Sequence, residues 1–136
     1  MADITQTAAN VAMGSGDQFL TGTAGETIVA GDVVYLKTSD SRLWKATNAA
    51  AASAAAVGVA LCGGAAGQPI TYLHSGTITP GGTVVVGEIY CVSTNAGKFA
   101  PDADVTSGMY RTVLGIGKTA STIALDIQVG AVAIPA

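Results

Sequence analysis

The chain has 136 residues, room for one domain with one core, and a domain of this size hides about two-thirds of the surface that its unfolded form exposes. Six Lys and Arg against nine Asp and Glu leave a net charge of -3 and no cation cluster to displace counterions, which argues against a nucleic-acid partner. Charged residues are 11% of the chain, against about 25% in ordinary globular proteins, and none lies between Lys45 and Glu88, so burial against another chain is expected, in a homo-oligomer or a lattice.

Met1-Ala2-Asp3 opens without a basic or an apolar stretch, so no secretory signal is expected. The most membrane-like window, residues 46–66, is Ala and Gly with Asn48 and Ser53 inside it, and its insertion would be close to neutral. The expectation is a soluble chain made in the cytoplasm, with no membrane partner.

Residues 1–23 show neither a two-residue nor a 3.6-residue apolar period, and Gly14, Gly16 and Gly22 would break either. This segment reads as an extended N-terminal arm, ordered against a surface or loose. Its apolar residues Ile4, Val11, Met13, Phe19 and Leu20 are the candidate contacts with a partner.

From residue 24 to 136 the chain reads as one β domain. "VVYLKT" (33–38) and "LWKAT" (43–47) flank the turn formers "SDSR" and predict a hairpin; "IYCVST" (89–94), "NAGK" and "KFA" repeat that design. Two short apolar strands follow their hairpins, "VGVAL" (57–61) and "VLGIG" (113–117). "IALDIQV" (123–129) alternates Ile123, Leu125, Ile127 and Val129 with polar or small residues, and "ITYLHSGTI" (70–78) is its weaker counterpart. The alanine run at 49–56 is too short for an independent helix and predicts an irregular connection with one helical turn.

Setting residue n against n+56 from 24 to 46 matches Gly25, Thr27, Val29, Gly31 and Thr38 with identical residues, and pairs Asp32 with Glu88 and Leu43 with Phe99. The register then slips by one, aligning "AVGVA" with "VLGIG". A duplicated β unit follows, about 24–79 and 80–130, and two such units can cover each other's faces and edges. The predicted fold class is all-β: a compact β-sandwich or barrel of two similar units. The repeated Gly-acid pair, Gly31-Asp32 and Gly87-Glu88, predicts a positive-φ bend capped by the carboxylate.

Reactive chemistry is sparse. His74 is the lone histidine and has no ligand-spaced partner; Asp102 and Asp104 lack the glycine and distal glutamate of a calcium loop; "GGAAG" (63–67) and "GSG" (14–16) match no phosphate-binding fingerprint. Cys62 and Cys91 read as two reduced core thiols, a disulfide being the other option. Trp44 and the four tyrosines are too dispersed for a stacking platform. The chain is therefore expected to be no enzyme and to hold no metal or cofactor.

The stretch 31–79, with the turn "SDSRLWKA", the strand "AAVGVAL", the loop "GGAAGQ" and the strand ending "TYLHSGTI", resembles the head decoration, or capsid cement, proteins of tailed bacteriophages, including the lambda type. "GEIYCVSTNAGKF" and "VLGIGKTASTIALDIQV" extend the resemblance to about residues 25–130. It implies a structural virion protein on the outer surface of a mature capsid, bound to the major capsid protein between capsomers, where it cross-links the shell against internal pressure. The lambda type also implies a trimer, although the near-complete second copy departs from that type. Under this reading the arm adds a strand to an exposed sheet edge of the shell, and deleting residues 2–20 is expected to abolish binding and leave the fold. The rival readings are a fibre-base or adhesin module for a host glycan or protein, marked by an exposed aromatic cluster, and a small enzyme or carrier domain, marked by a reactive residue.

Overall fold

β-branched and aromatic residues broken by short polar turns give this chain its strands. The computed structural model describes Ile4, Ala12, Met13, residues 18–130 and Ile134. Its strands are β1 (Ala12–Met13), β2 (Gln18–Thr23), β3 (Val33–Lys37), β4 (Arg42–Lys45), β5 (Ala56–Ala60), β6 (Pro69–Thr79), β7 (Ile89–Val92), β8 (Phe99–Pro101), β9 (Val113–Gly117) and β10 (Ile123–Gln128). All pairings between them are antiparallel, in the order β4-β3-β5-β6-β10-β9-β7-β8, with β1 and β2 also on β6. The sheet curls into a half-barrel, so the fold is all-β as its composition predicts. The alanine run contributes a single helical turn, α1 (Ala51–Ala54), whose Ala54 is buried and whose carbonyl accepts the Thr112 hydroxyl.

The strand order is the same on either side of the β6/β10 pair, β4-β3-β5-β6 mirrored by β8-β7-β9-β10, and the two units share fine detail. β3 pairs with β5 through Val33 with Val59 and Val34 with Gly58, then slips to Tyr35 with Ala56. β7 pairs with β9 through Ile89 with Ile116 and Tyr90 with Gly115, then slips to Cys91 with Val113. Each bulge therefore falls at the same place, 56 residues on in the first strand and 57 in the second. The bends before β3 and β7 also correspond: Gly31 (φ 96°) and Gly87 (φ 84°) donate to Ala60 O and Gly117 O, each at 2.8 Å. The positive φ expected for the repeated Gly-acid pair is present in both copies.

β6 joins the units. Its first part pairs with β5 and β2, and its last part with β10 and β1. Leu73 and Ile78, an odd number of residues apart, both enter the main core, because the alternation breaks at a register shift opposite His74 and at Gly76 (φ 116°). That core holds Val33, Val59 and Leu73 from the first unit and Tyr90, Phe99, Leu114, Ile123 and Leu125 from the second. A smaller core, with Ile28, Val34, Leu43, Ala60 and Ile70, fills the other side of the first unit.

The N-terminal residues that are described lie on the fold. β2 runs along β6 from Gln18–Ser75 to Thr23–Pro69, and Ala24 continues it into a bridge with Leu43 on β4. Gly22 carries no side chain where Leu43 crosses: a Cβ there would come within 2.8 Å of the leucine. Ile4 is buried in the main core and donates its amide to Phe99 O at 3.1 Å, as Gly25 donates to Leu43 O at 2.8 Å in the first unit. Deleting residues 2–20 would thus strip β6 of β1 and half of β2, and the core of Ile4, so the deletion expected to spare the fold does not separate fold from binding.

Candidate functional site

His74 and the two cysteines each have an identifiable neighbour. His74 Nδ1 lies 2.9 Å from Val57 O at the irregular part of β6, and the residue is exposed. Cys91 is buried beside Asp102, Sγ to Oδ1 3.6 Å, and Asp102 accepts from Arg111 Nε at 3.0 Å. Burial first, then the Asp102 charge, push the Cys91 thiol up to about 12, which keeps it protonated and unreactive at neutral pH. Cys62 is exposed rather than in the core and accepts from Thr71 N at 3.3 Å; both thiols are free. Among the described residues, no group of three His, Cys, Asp or Glu could hold a metal ion.

The acid of the first Gly-acid pair caps its bend as expected. Asp32 Oδ2 accepts from Val29 N at 3.0 Å, and the carboxylate is buried where the units meet. There Val33 donates to Gly97 O and Gly97 donates to Ala46 O, each at 2.9 Å. Desolvation raises the Asp32 pKa above the ordinary 3.8, opposed by the Val29 hydrogen bond and by Lys45 and Lys98. Gly97 (φ 78°) has no Cβ to strike the carboxylate, which would lie 2.9 Å away. This junction is a structural joint.

What remains for function is exposed apolar surface. Of the five candidate contacts, Phe19 and Leu20 are 56% and 48% exposed on β2, whose strand partner over residues 18–23 is β6. Ile4 is consumed by the protein's own core. Met13 is described in β1 by its backbone alone, and Val11 lies outside the described residues, as does the "GSG" loop. Phe19 and Leu20 project to opposite faces of β2, the first beside Leu73 and the second beside Tyr72. Trp44 is half-buried over Gly25, with Lys37 Nζ 4.5 Å from its ring centroid, Asp40 Oδ2 3.2 Å from Nε1 and Tyr35 as its cross-strand partner in the hairpin.

A second apolar area lies on the other unit, and the sequence reading did not single it out. Ile89 (39% exposed) and Ile116 (49%) are cross-strand partners, and Ala124 continues the row onto β10. Val113, Ile116 and Ala124 border a shallow groove that ends at Asp126 and Gln128. The available signal was the repeat itself, since Val33, Val59 and Leu73 hold the matching places in the first unit. Among the described residues no helix is long and apolar enough to cross a membrane. Comparison with protein-family models and with curated proteins gives no match for this chain.

Proposed function

We propose that this chain is a structural virion protein that decorates the outer surface of a mature phage capsid and stabilises the shell by bridging capsomers, with the major capsid protein as partner. The observation that carries the reading is strand β2, where Phe19 and Leu20 stand exposed on opposite faces at the margin of the sheet. A strand margin takes up a neighbouring extended segment through backbone hydrogen bonds, which demand little side-chain specificity. Covering two half-exposed apolar side chains adds about 2 kcal/mol per site, roughly thirtyfold in affinity, and repetition over a shell multiplies weak contacts. The resemblance to capsid cement proteins and the buried, protonated state of the Cys91 thiol support the same reading.

The test mixes purified protein with undecorated mature capsids, sediments them and images the particles. Wild-type protein is expected to bind stoichiometrically at regular surface positions. The double variant Phe19→Ser/Leu20→Ser is expected to lose binding about tenfold or more while keeping its circular dichroism and melting transition. Absence of wild-type binding rejects the proposal and favours the adhesin module; unchanged binding by the double variant rejects β2 as the contact.

A further inference from the structure

The two units turn opposite faces to the main core. In the first, Val33, Ala56, Val59 and Leu73 form one side of the main core, and what covers them is the second unit, through Tyr90, Phe99 and Leu125 among others. Register places Ile89, Val113, Ile116 and Ala124 at the corresponding positions of the second unit, and there the row faces outward. The surface that suits this row is thus known from within the molecule: an apolar β-sheet. Val33 and Val34, on opposite sides of β3, are both buried, so the matching row of the first unit is closed. An apolar sheet that stays open is the same row on another molecule, and a surface that meets itself does so about a two-fold axis.

Charge fixes the direction of that axis. Asp126 lines one end of the groove, and alternation from Ile116 places exposed Lys118 on the same face at the β9–β10 turn, about 13 Å away along the strands. A two-fold axis across the strands exchanges the ends, so opposite charges meet twice, whereas an axis along the strands would set like against like. We infer that the face of Ile89, Val113, Ile116 and Ala124 pairs two copies of this chain about a two-fold axis that sets the Lys118 of each against the Asp126 of the other. Four apolar side chains per copy are a small patch against the roughly 1,200–2,000 Å² of a stable interface, so the pair is weak in dilute solution and is reinforced wherever the chain is held at high local concentration. The inference goes beyond shell binding, which rests on β2.

Sedimentation equilibrium of the full chain, from about 10 μM to about 1 mM, tests it. The wild type is expected to pass from monomer to dimer. Ile116→Asp is expected to weaken the dimer at least tenfold. Lys118→Glu is expected to weaken it severalfold, and the exchange Lys118→Glu/Asp126→Lys to restore it, with every variant melting as the wild type does. A wild type that stays monomeric throughout overturns the inference. So does association, as dimer or trimer, that Ile116→Asp leaves unchanged, because the contact then lies elsewhere. An exchange variant as weak as the single variant overturns the assigned axis. Phe19→Ser/Leu20→Ser is expected to dimerise normally, which separates this surface from the proposed shell contact.

Discussion

The first and second units share strand order, bulge positions and Gly-acid bends, yet a row that one buries in the main core is left exposed in the other. Val33 and Val59 are fully buried, while Ile89 and Ile116, at the same places in the repeat, face outward. Conversely Val34 and Leu43 fill the small core of the first unit, and their counterparts Tyr90 and Phe99 enter the main core between the units. The two units therefore share a backbone design, while burial differs with how they pack. Larger residues at the positions that differ, Tyr for Val and Phe for Leu, fill the thicker shared core. The surface left over by that difference is where the second unit can meet another chain.

Substitutions at matched positions break or sharpen this comparison. The largest effect is expected at Gly58 and Gly115, where an added Cβ would lie 2.3 Å from Leu73 O and 2.1 Å from Ala124 O. Gly58→Ala and Gly115→Ala are each expected to cost about 3 kcal/mol in urea unfolding, since backbone must move to admit the methyl group. A large loss in one unit alone would break the structural correspondence of β5 with β9.

Next come the hairpin turns, where Ser41 (φ 56°) and Gly97 (φ 78°) correspond. Gly97→Ala is expected to lose about 2 kcal/mol, from the left-handed backbone and from contact with Asp32, whereas Ser41→Gly is expected to gain about 0.5 kcal/mol, because its turn is exposed and glycine relieves the backbone at some entropic cost. Equal and opposite effects would show that Asp32 does not press on the second turn.

Asp32 supplies a smaller, pH-dependent effect. Its folded pKa lies above 3.8 through burial, so the folded state binds more protons than the unfolded state between those two values. The contribution of this group to stability therefore falls as pH rises from about 3.8 through the folded pKa and stays low above it. Asn at this position keeps an oxygen for Val29 N, so Asp32→Asn is expected to be more favourable relative to wild type at pH 7 than at pH 4, as read from unfolding midpoints. A difference independent of pH would contradict the burial of the carboxylate. Without any effect on stability, a thiol reagent is expected to modify Cys62 alone in the native chain and Cys91 only after unfolding.

Most strands are legible in the sequence because β-branched runs between turn formers fix both type and extent; "VLGIG" is β9 residue for residue. In β10 the predicted alternation holds through Leu125 and fails at Val129, which is exposed beyond the register shift with β9. β2 was not legible, since "QFLTGT" has no alternation and owes its conformation to β6 and its glycine to the approach of Leu43. Of the candidate site, Phe19 and Leu20 keep the exposure that contact requires, while Ile4 is in the core; nothing in the local sequence separates an apolar residue that meets a partner from one that meets its own fold. Nor does a two-residue period say which face turns inward. That choice was made at His74 to Gly76, where a local break in β6 reverses the alternation for everything beyond it.

Thiol reactivity at matched positions tests the exchanged faces most directly. In a Cys62→Ser background, Val33→Cys and Val59→Cys on one side are compared with Ile89→Cys and Ile116→Cys on the other, at micromolar protein where the outward face is open. The second pair is expected to react nearly as fast as in denaturant and the first pair at least ~100-fold more slowly, through rare opening of the fold. Equal protection of both pairs, or greater protection of Ile89→Cys and Ile116→Cys, would contradict the account.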